Sequence, residues 1–179
     1  MLKTFRESLC AGILITIGGT VFLSCENKTA GAVLFSVALL CICYKGYYLF
    51  TGKIGYIVEQ HKKQDFLNLA VGLFGNLIAT FLLGMLLRTV LPNIGERAAE
   101  MCSAKLAQFP LYSFIRGFFC GILMYLAVSI YKEKNSVLGV LFCVPVFILC
   151  GFEHSIADMF YFGTSGIFDT KIIFFMALI

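Results

Sequence analysis

The stretch Gly151-Phe152-Glu153-His154-Ser155-Ile156-Ala157-Asp158-Met159-Phe160 decides how this chain is read. It sets Glu, His and Asp directly behind Val137 to Cys150, an apolar run suited to lipid or a buried core. Ionisable groups at membrane depth are costly and tend to line a pathway or a site. An imidazole titrates near neutrality, so His154 points to proton or anion handling. The competing reading is a structural histidine satisfied by its neighbours, and the segment alone supports both.

Composition settles the class. Of 179 residues, 60% are hydrophobic and 13% charged, with a mean hydropathy of +0.92. Soluble domains carry about 25% charged residues, so a polytopic, all-α membrane protein is expected. The N-terminus starts basic, Met1-Leu2-Lys3-Thr4-Phe5-Arg6, but the run Leu9 to Ser24 shows no small-residue cleavage pattern and reads as a first membrane helix. Seven of the eight cysteines sit in or beside apolar runs, and there is no Cys-x-x-Cys pair. They read as small apolar residues, with no metal and no cofactor expected. The net charge of +4 is scattered over short loops, which excludes a nucleic-acid partner.

Outward from the opening stretch, five apolar segments come close to spanning length: Leu9–Cys25, Ala30–Phe50, Phe66–Leu87, Leu111–Tyr131 and Val137–Gly151. The second is interrupted at Thr51-Gly52-Lys53 before Ile54 resumes it, and the fifth at Glu153-His154 before Ile156 resumes it. Broken helices survive at membrane depth only where protein or a watery cavity receives the freed backbone. Paired breaks in two halves mark a transporter site. Leu34-Phe35-Ser36-Val37 recurs as Leu141-Phe142-Cys143-Val144, and Cys43 then matches Cys150. The expectation is one membrane domain over residues 1–179, an inverted repeat of three plus three helices with repeats at 1–90 and 109–179. After Lys171 only eight apolar residues remain. They make about 12 Å of helix, so the sixth helix is expected to be incomplete. Lys and Arg number seven in the segments on the N-terminal side and five on the other, which predicts a cytoplasmic N-terminus. His61-Lys62-Lys63 reads as a loop charge cluster.

Four motifs resemble the formate/nitrite transporter family. Leu49-Phe50-Thr51-Gly52-Lys53 is similar to the family's Leu-Phe-Thr-Gly-Asn loop, and Gly75-Asn76-Leu77-Ile78 to its third-helix Gly-Asn motif. Arg116-Gly117-Phe118-Phe119-Cys120-Gly121 resembles Arg-Gly-Ile-Leu-Cys-Asn, and Gly151 to Met159 resembles Gly-Phe-Glu-His-Ser-Ile-Ala-Asn-Met, the most specific of the four. The resemblance implies an aquaporin-like fold, a homopentamer with one pore per subunit, and a bacterial cytoplasmic-membrane location. It also implies passage of a small monovalent anion such as formate or nitrite. By the same resemblance His154 is the central pore residue and Thr51 faces it. Phe35, Leu39 and Phe147 line the outer constriction, and Leu49 and Phe50 lie at the inner one. Lys105 is placed near the outer vestibule, with Asn76 and Arg116 in supporting positions. The chain departs from the pattern with Tyr48 before Leu-Phe-Thr, with Asp158 and Gly121 in place of Asn, and with an extra charge at Lys45.

Desolvating a small anion is prohibitive unless something offsets it. Helix N-termini at the breaks supply free N–H groups and partial positive charge, His154 a charge or a proton, and Thr51 a hydroxyl. The other reading of Phe35, Leu39 and Phe147 is ordinary packing. Glu153 either pairs with Arg116 or Lys45, or lies on the path. Asp158, four residues after His154, either shares its side of a helix and favours imidazolium, repels the anion, or is exposed. Lys105 either attracts anions or is a solvated loop lysine. The partners expected are a small anion, protons and membrane lipid. An intramembrane acid–base enzyme is disfavoured, since no His-Glu-x-x-His or separate nucleophile accompanies the cluster. A non-conducting membrane subunit is the other alternative.

Overall fold

The computed structural model describes residues 1–58 and 62–178, so His61 of the charge cluster falls outside the described residues. Its helices are α1 (Leu2–Ser24), α2 (Lys28–Lys45), α3 (Lys63–Val90), α4 (Pro92–Leu106), α5 (Pro110–Lys134), α6 (Leu138–Leu149), α7 (Ser155–Ser165) and α8 (Lys171–Leu178), with a 3₁₀ turn at Ile54–Val58. Four of them, α1, α2, α3 and α5, are long and apolar enough to cross a membrane. The chain is an all-α, polytopic membrane protein. Large apolar side chains such as Phe74, Leu82, Phe118 and Phe142 point outward, as a lipid solvent permits.

The second apolar run leaves the helix earlier than its hydropathy predicts. It ends at Lys45 rather than Phe50, because Gly46 adopts φ 67° and turns the chain. Gly46 N–H donates to Cys43 C=O (3.2 Å) and Tyr47 N–H to Ile42 C=O (3.0 Å). The fifth run ends the same way: Gly151 has φ 68°, its N–H donates to Ile148 C=O (3.1 Å), and Phe152 N–H donates to Phe147 C=O (3.0 Å). Both are Schellman closures, in which a left-handed residue lets the last orphan carbonyls be satisfied. They pair Cys43 with Ile148, two residues away from the Cys43–Cys150 match suggested by the letters. The burial pattern agrees with the hydrogen bonds: Phe35 is 2% exposed, whereas Phe142, its partner by letters, is 68% exposed.

Helix α4 is not visible as an apolar run. Pro92 starts it, and its buried residues Ile94, Gly95, Ala98 and Cys102 form one stripe, with charged residues elsewhere. It carries Arg97 and also Lys105, for which one reading is a solvated loop lysine. Arg97 donates to the carbonyls of Leu23 (2.7 Å) and Cys25 (3.3 Å), closing the end of α1. Helices α1, α3 and α7 pack together, as do α1 with α2, α5 with α6, and α2 with α6, while α4 lies on α7. The two breaks meet inside this arrangement.

Candidate functional site

The first break, from Gly46 to Lys53, is fixed from α3. Asn76 is wholly buried, and its Oδ1 accepts Phe50 N–H at 2.8 Å while its Nδ2 donates to Tyr48 C=O (3.0 Å) and Ser8 C=O (2.7 Å). Backbone freed from a helix has to find partners when water is excluded. One side-chain amide supplies them here and ties α1 to the loop. The chain then turns through Lys53 N–H to Phe50 C=O (2.8 Å), which leaves Thr51 facing inward and buried.

The second break, Cys150 to His154, delivers His154 as the N-cap of α7. Its Nδ1 accepts Ala157 N–H at 3.1 Å, and its Nε2 lies 2.9 Å from Thr51 Oγ1, 103 residues away in sequence. A nitrogen that accepts an N–H carries no proton of its own. The neutral ring therefore holds its proton on Nε2 and donates it to Thr51 Oγ1, which frees the threonine hydroxyl proton for another acceptor. Protonating Nδ1 would cost α7 its cap. Phe147 stacks on the imidazole with centroids 5.5 Å apart, and Phe35 meets Phe147 edge-on at 6.2 Å. Leu39 and Leu49, both 2% exposed, belong to the same buried core. Beneath them an open recess of about 380 Å³ is lined by Leu39, Leu49, Gly52, Lys53, Tyr131 and others. Phe50 is half-buried beside this core.

The charged residues form a second group, in which Glu153 is paired as expected with Arg116 but not with Lys45, and more closely with Lys105. Glu153, 1% exposed, is bound by Lys105 Nζ and accepts from Gln108 Nε2 at 2.9 Å, with Arg116 Nη1 at 4.0 Å. Lys45, offered as its partner, is exposed on the far side of the first break. Lys105 is neither a solvated loop residue nor a free charge at a vestibule, because its ammonium also pairs with Asp158 Oδ1 at 2.9 Å. Asp158 is 2% exposed and turns to Lys105 rather than to the imidazole. Neither membrane-edge exposure nor an imidazolium pair describes it, since the helical side it occupies faces α4. Burial lowers the affinity of Lys105 for its proton, but Asp158 and Glu153 together outweigh this and hold it above the ordinary lysine range. Gln108 had no signal in the sequence beyond standing three residues after Lys105. Among the described residues no group of His, Cys, Asp and Glu has the arrangement of a metal centre.

Two neutral side chains thus meet between the breaks, under an aromatic lid, with a buried ionic cluster behind one of them. The sequence matches the family described as formate/nitrite transporter over residues 1–178. It is 30% identical to the uncharacterised transporter YwcJ of Bacillus subtilis (strain 168), covering 92% of this chain and 72% of that protein. It is 25% identical to the formate channel FocA of Escherichia coli (strain K12), covering 89% of this chain and 65% of FocA, just under two thirds of that length. Among solved structures, a pentameric formate channel with formate bound superposes with a TM-score of 0.78 at 27% identity, over 98% of this chain and 80% of that one. An ion channel of the same family shares the fold, with a TM-score of 0.73 at 21% identity. Sequence, broken-helix architecture and fold agree: this chain belongs to the formate/nitrite transporter family.

Proposed function

We propose that the chain forms a membrane channel for a small monovalent anion of the formate and nitrite type, with Thr51 and His154 at the centre of the path. The observation that carries the reading is the buried Thr51–His154 hydrogen bond, which joins the two breaks through groups able to bind an anion. Phe35, Leu39 and Phe147 act as a dehydrating gate on one side, with Leu49 and Phe50 on the other. A permeating anion sheds water at these rings. It is met by the hydroxyl proton of Thr51 and by the positive end of the α7 dipole.

The similarity to a pentameric formate channel supports five copies with one path in each. The two Schellman-closed breaks support reading residues 1–90 and 109–179 as repeats. The chain lies in a bacterial cytoplasmic membrane with its N-terminus inside, as the distribution of Lys and Arg suggests. Formate influx into proteoliposomes tests the reading, with His154→Phe as the comparison. Saturable, pH-dependent flux that the variant loses is expected. Silence of the wild-type chain would overturn the channel reading in favour of a non-conducting subunit, and equal flux in both would remove His154 from the path.

A further inference from the structure

Asp158 Oδ2 is the unsatisfied end of the ionic cluster. The residue is only 2% exposed, and among the described residues this oxygen has no hydrogen-bond partner. Its twin, Oδ1, shares Lys105 with Glu153. Two carboxylates thus converge on one buried ammonium. The other cation in reach, Arg116, stands 4.0 Å from Glu153 with its side chain 44% exposed, and it does not contact Asp158.

Among the described residues Lys105 is the one cation paired with Asp158. Near it lie Lys105 and Cys102 of α4, Cys120 and the more distant Arg116 of α5, Glu153 of the break and Tyr161 of α7 itself, while the ring of His154 turns to Thr51. Against α7, α1 and α3 present Gly19, Phe81 and Gly84, which do not titrate, and α3 sets the cation Arg88 against Gly166, at the opposite end of α7 from Asp158. From α8, Lys171 lines the open recess of about 650 Å³ that also reaches Lys105, Gln108 and Ser113. That recess gives water and protons a route to the cluster. Two like charges sharing one buried counter-ion do not both persist, and the pair keeps a proton instead.

We infer that the Glu153–Asp158 carboxylate pair retains one exchangeable proton at neutral pH, carried on Asp158 Oδ2, and that this proton keeps the recess at Lys105 from turning negative. Its release breaks the Asp158 O–H bond, hands the proton to water in the recess and leaves a second carboxylate on Lys105, with no redox change. The added negative charge then opposes an approaching anion. The proton store therefore sits beside His154 rather than on it, in keeping with an imidazole whose Nδ1 is committed to the cap of α7. The effect on flux rests on the channel reading, whereas the protonation itself does not.

Infrared difference spectroscopy of the purified full chain in lipid tests the protonation directly. The expected result is a protonated-carboxyl stretching band at neutral pH that disappears in alkali and is missing from Asp158→Asn. It should also be missing from Glu153→Gln, because a single carboxylate on Lys105 has no reason to hold a proton. A wild-type spectrum without the band overturns the inference whether or not the variants fold, and so does a band that persists in either folded variant. In proteoliposomes the ratio of Asp158→Asn to wild-type formate flux should climb several-fold from acidic to alkaline pH, and a flat ratio would overturn the link to permeation. Loss of flux with the band intact would count against the channel reading alone.

Discussion

The ring of Phe147 lies nearly parallel to the imidazole of His154, 28° between planes and 5.5 Å between centroids, so the proposed gate and the proposed pore centre form one stack. Each holds the orientation of the other, and Phe35 braces the pair edge-on. Aromatic contacts of this kind add about 0.5–1.5 kcal/mol beyond the area they bury.

Phe147→Ala therefore opens the constriction and loosens the imidazole together. Formate flux is expected to rise several-fold while discrimination against larger anions falls. Unfolding in detergent should show a loss of about 3–5 kcal/mol, the range for truncating a buried phenylalanine. Competition by bulkier carboxylates in the flux assay checks the first expectation, and unchanged selectivity would return Phe147 to simple packing.

Thr51→Val keeps the shape of the side chain and removes its hydroxyl. His154 Nε2–H then has no acceptor in a buried setting, which costs about 1–3 kcal/mol. Flux should fall at least tenfold, roughly the 1.4 kcal/mol equivalent in a barrier, and Thr51→Ser should restore most of it. Comparable flux in the valine and serine forms would show that the hydroxyl plays no part.

Asn76→Ala strips two hydrogen bonds from the first break and the one that ties it to Ser8 of α1. Leaving Phe50 N–H and Tyr48 C=O without this partner is expected to cost about 2–4 kcal/mol. Proteolysis should then become faster between Gly46 and Lys53, while α7 stays protected. Uniform exposure of both breaks would mean that Asn76 supports the whole fold rather than this loop.

Lys105→Met leaves Glu153 and Asp158 buried without their shared cation, a loss in the range of about 3–5 kcal/mol. The raised proton affinity of Lys105 in the wild type fixes the sign of the pH effect. Its ion pair with Glu153, supported by the contact to Asp158 Oδ1, is fully present below the ordinary lysine range and is lost only as pH rises through the higher folded value. Wild-type stability should thus hold through neutral pH, while the variant should gain stability on acidification as its carboxylates are neutralised. Adding Glu153→Gln and Asp158→Asn to Lys105→Met should recover most of the loss. An unchanged melting temperature in Lys105→Met would contradict the ionic cluster.

The membrane class and the two breaks were legible because hydropathy and interruption are properties of single segments. Motif resemblance brought His154 and Thr51 together. What stayed hidden depended on long-range packing. Lys105 looks like a loop lysine until the stripe of Ile94, Ala98 and Cys102 is recognised as a helix lying on α7. Asp158 shares a helix with His154, but its carboxylate is claimed by α4, and no spacing along α7 could announce that. The repeat register was misjudged by two residues because apolar letters recur by chance, whereas the hydrogen bonds at Gly46 and Gly151 do not.

Those two glycines carry a further consequence. A Cβ built on either Gly46 or Gly151 meets nothing within 4 Å, so neither is needed to make room. The requirement is one of chirality: an L-residue held at φ near +67° or +68° pays about 1–2 kcal/mol. A D-alanine placed there by chemical ligation pays nothing and stiffens the turn. Each break could thus be rigidified by a mirror-image residue, a way to ask whether permeation needs these corners to flex.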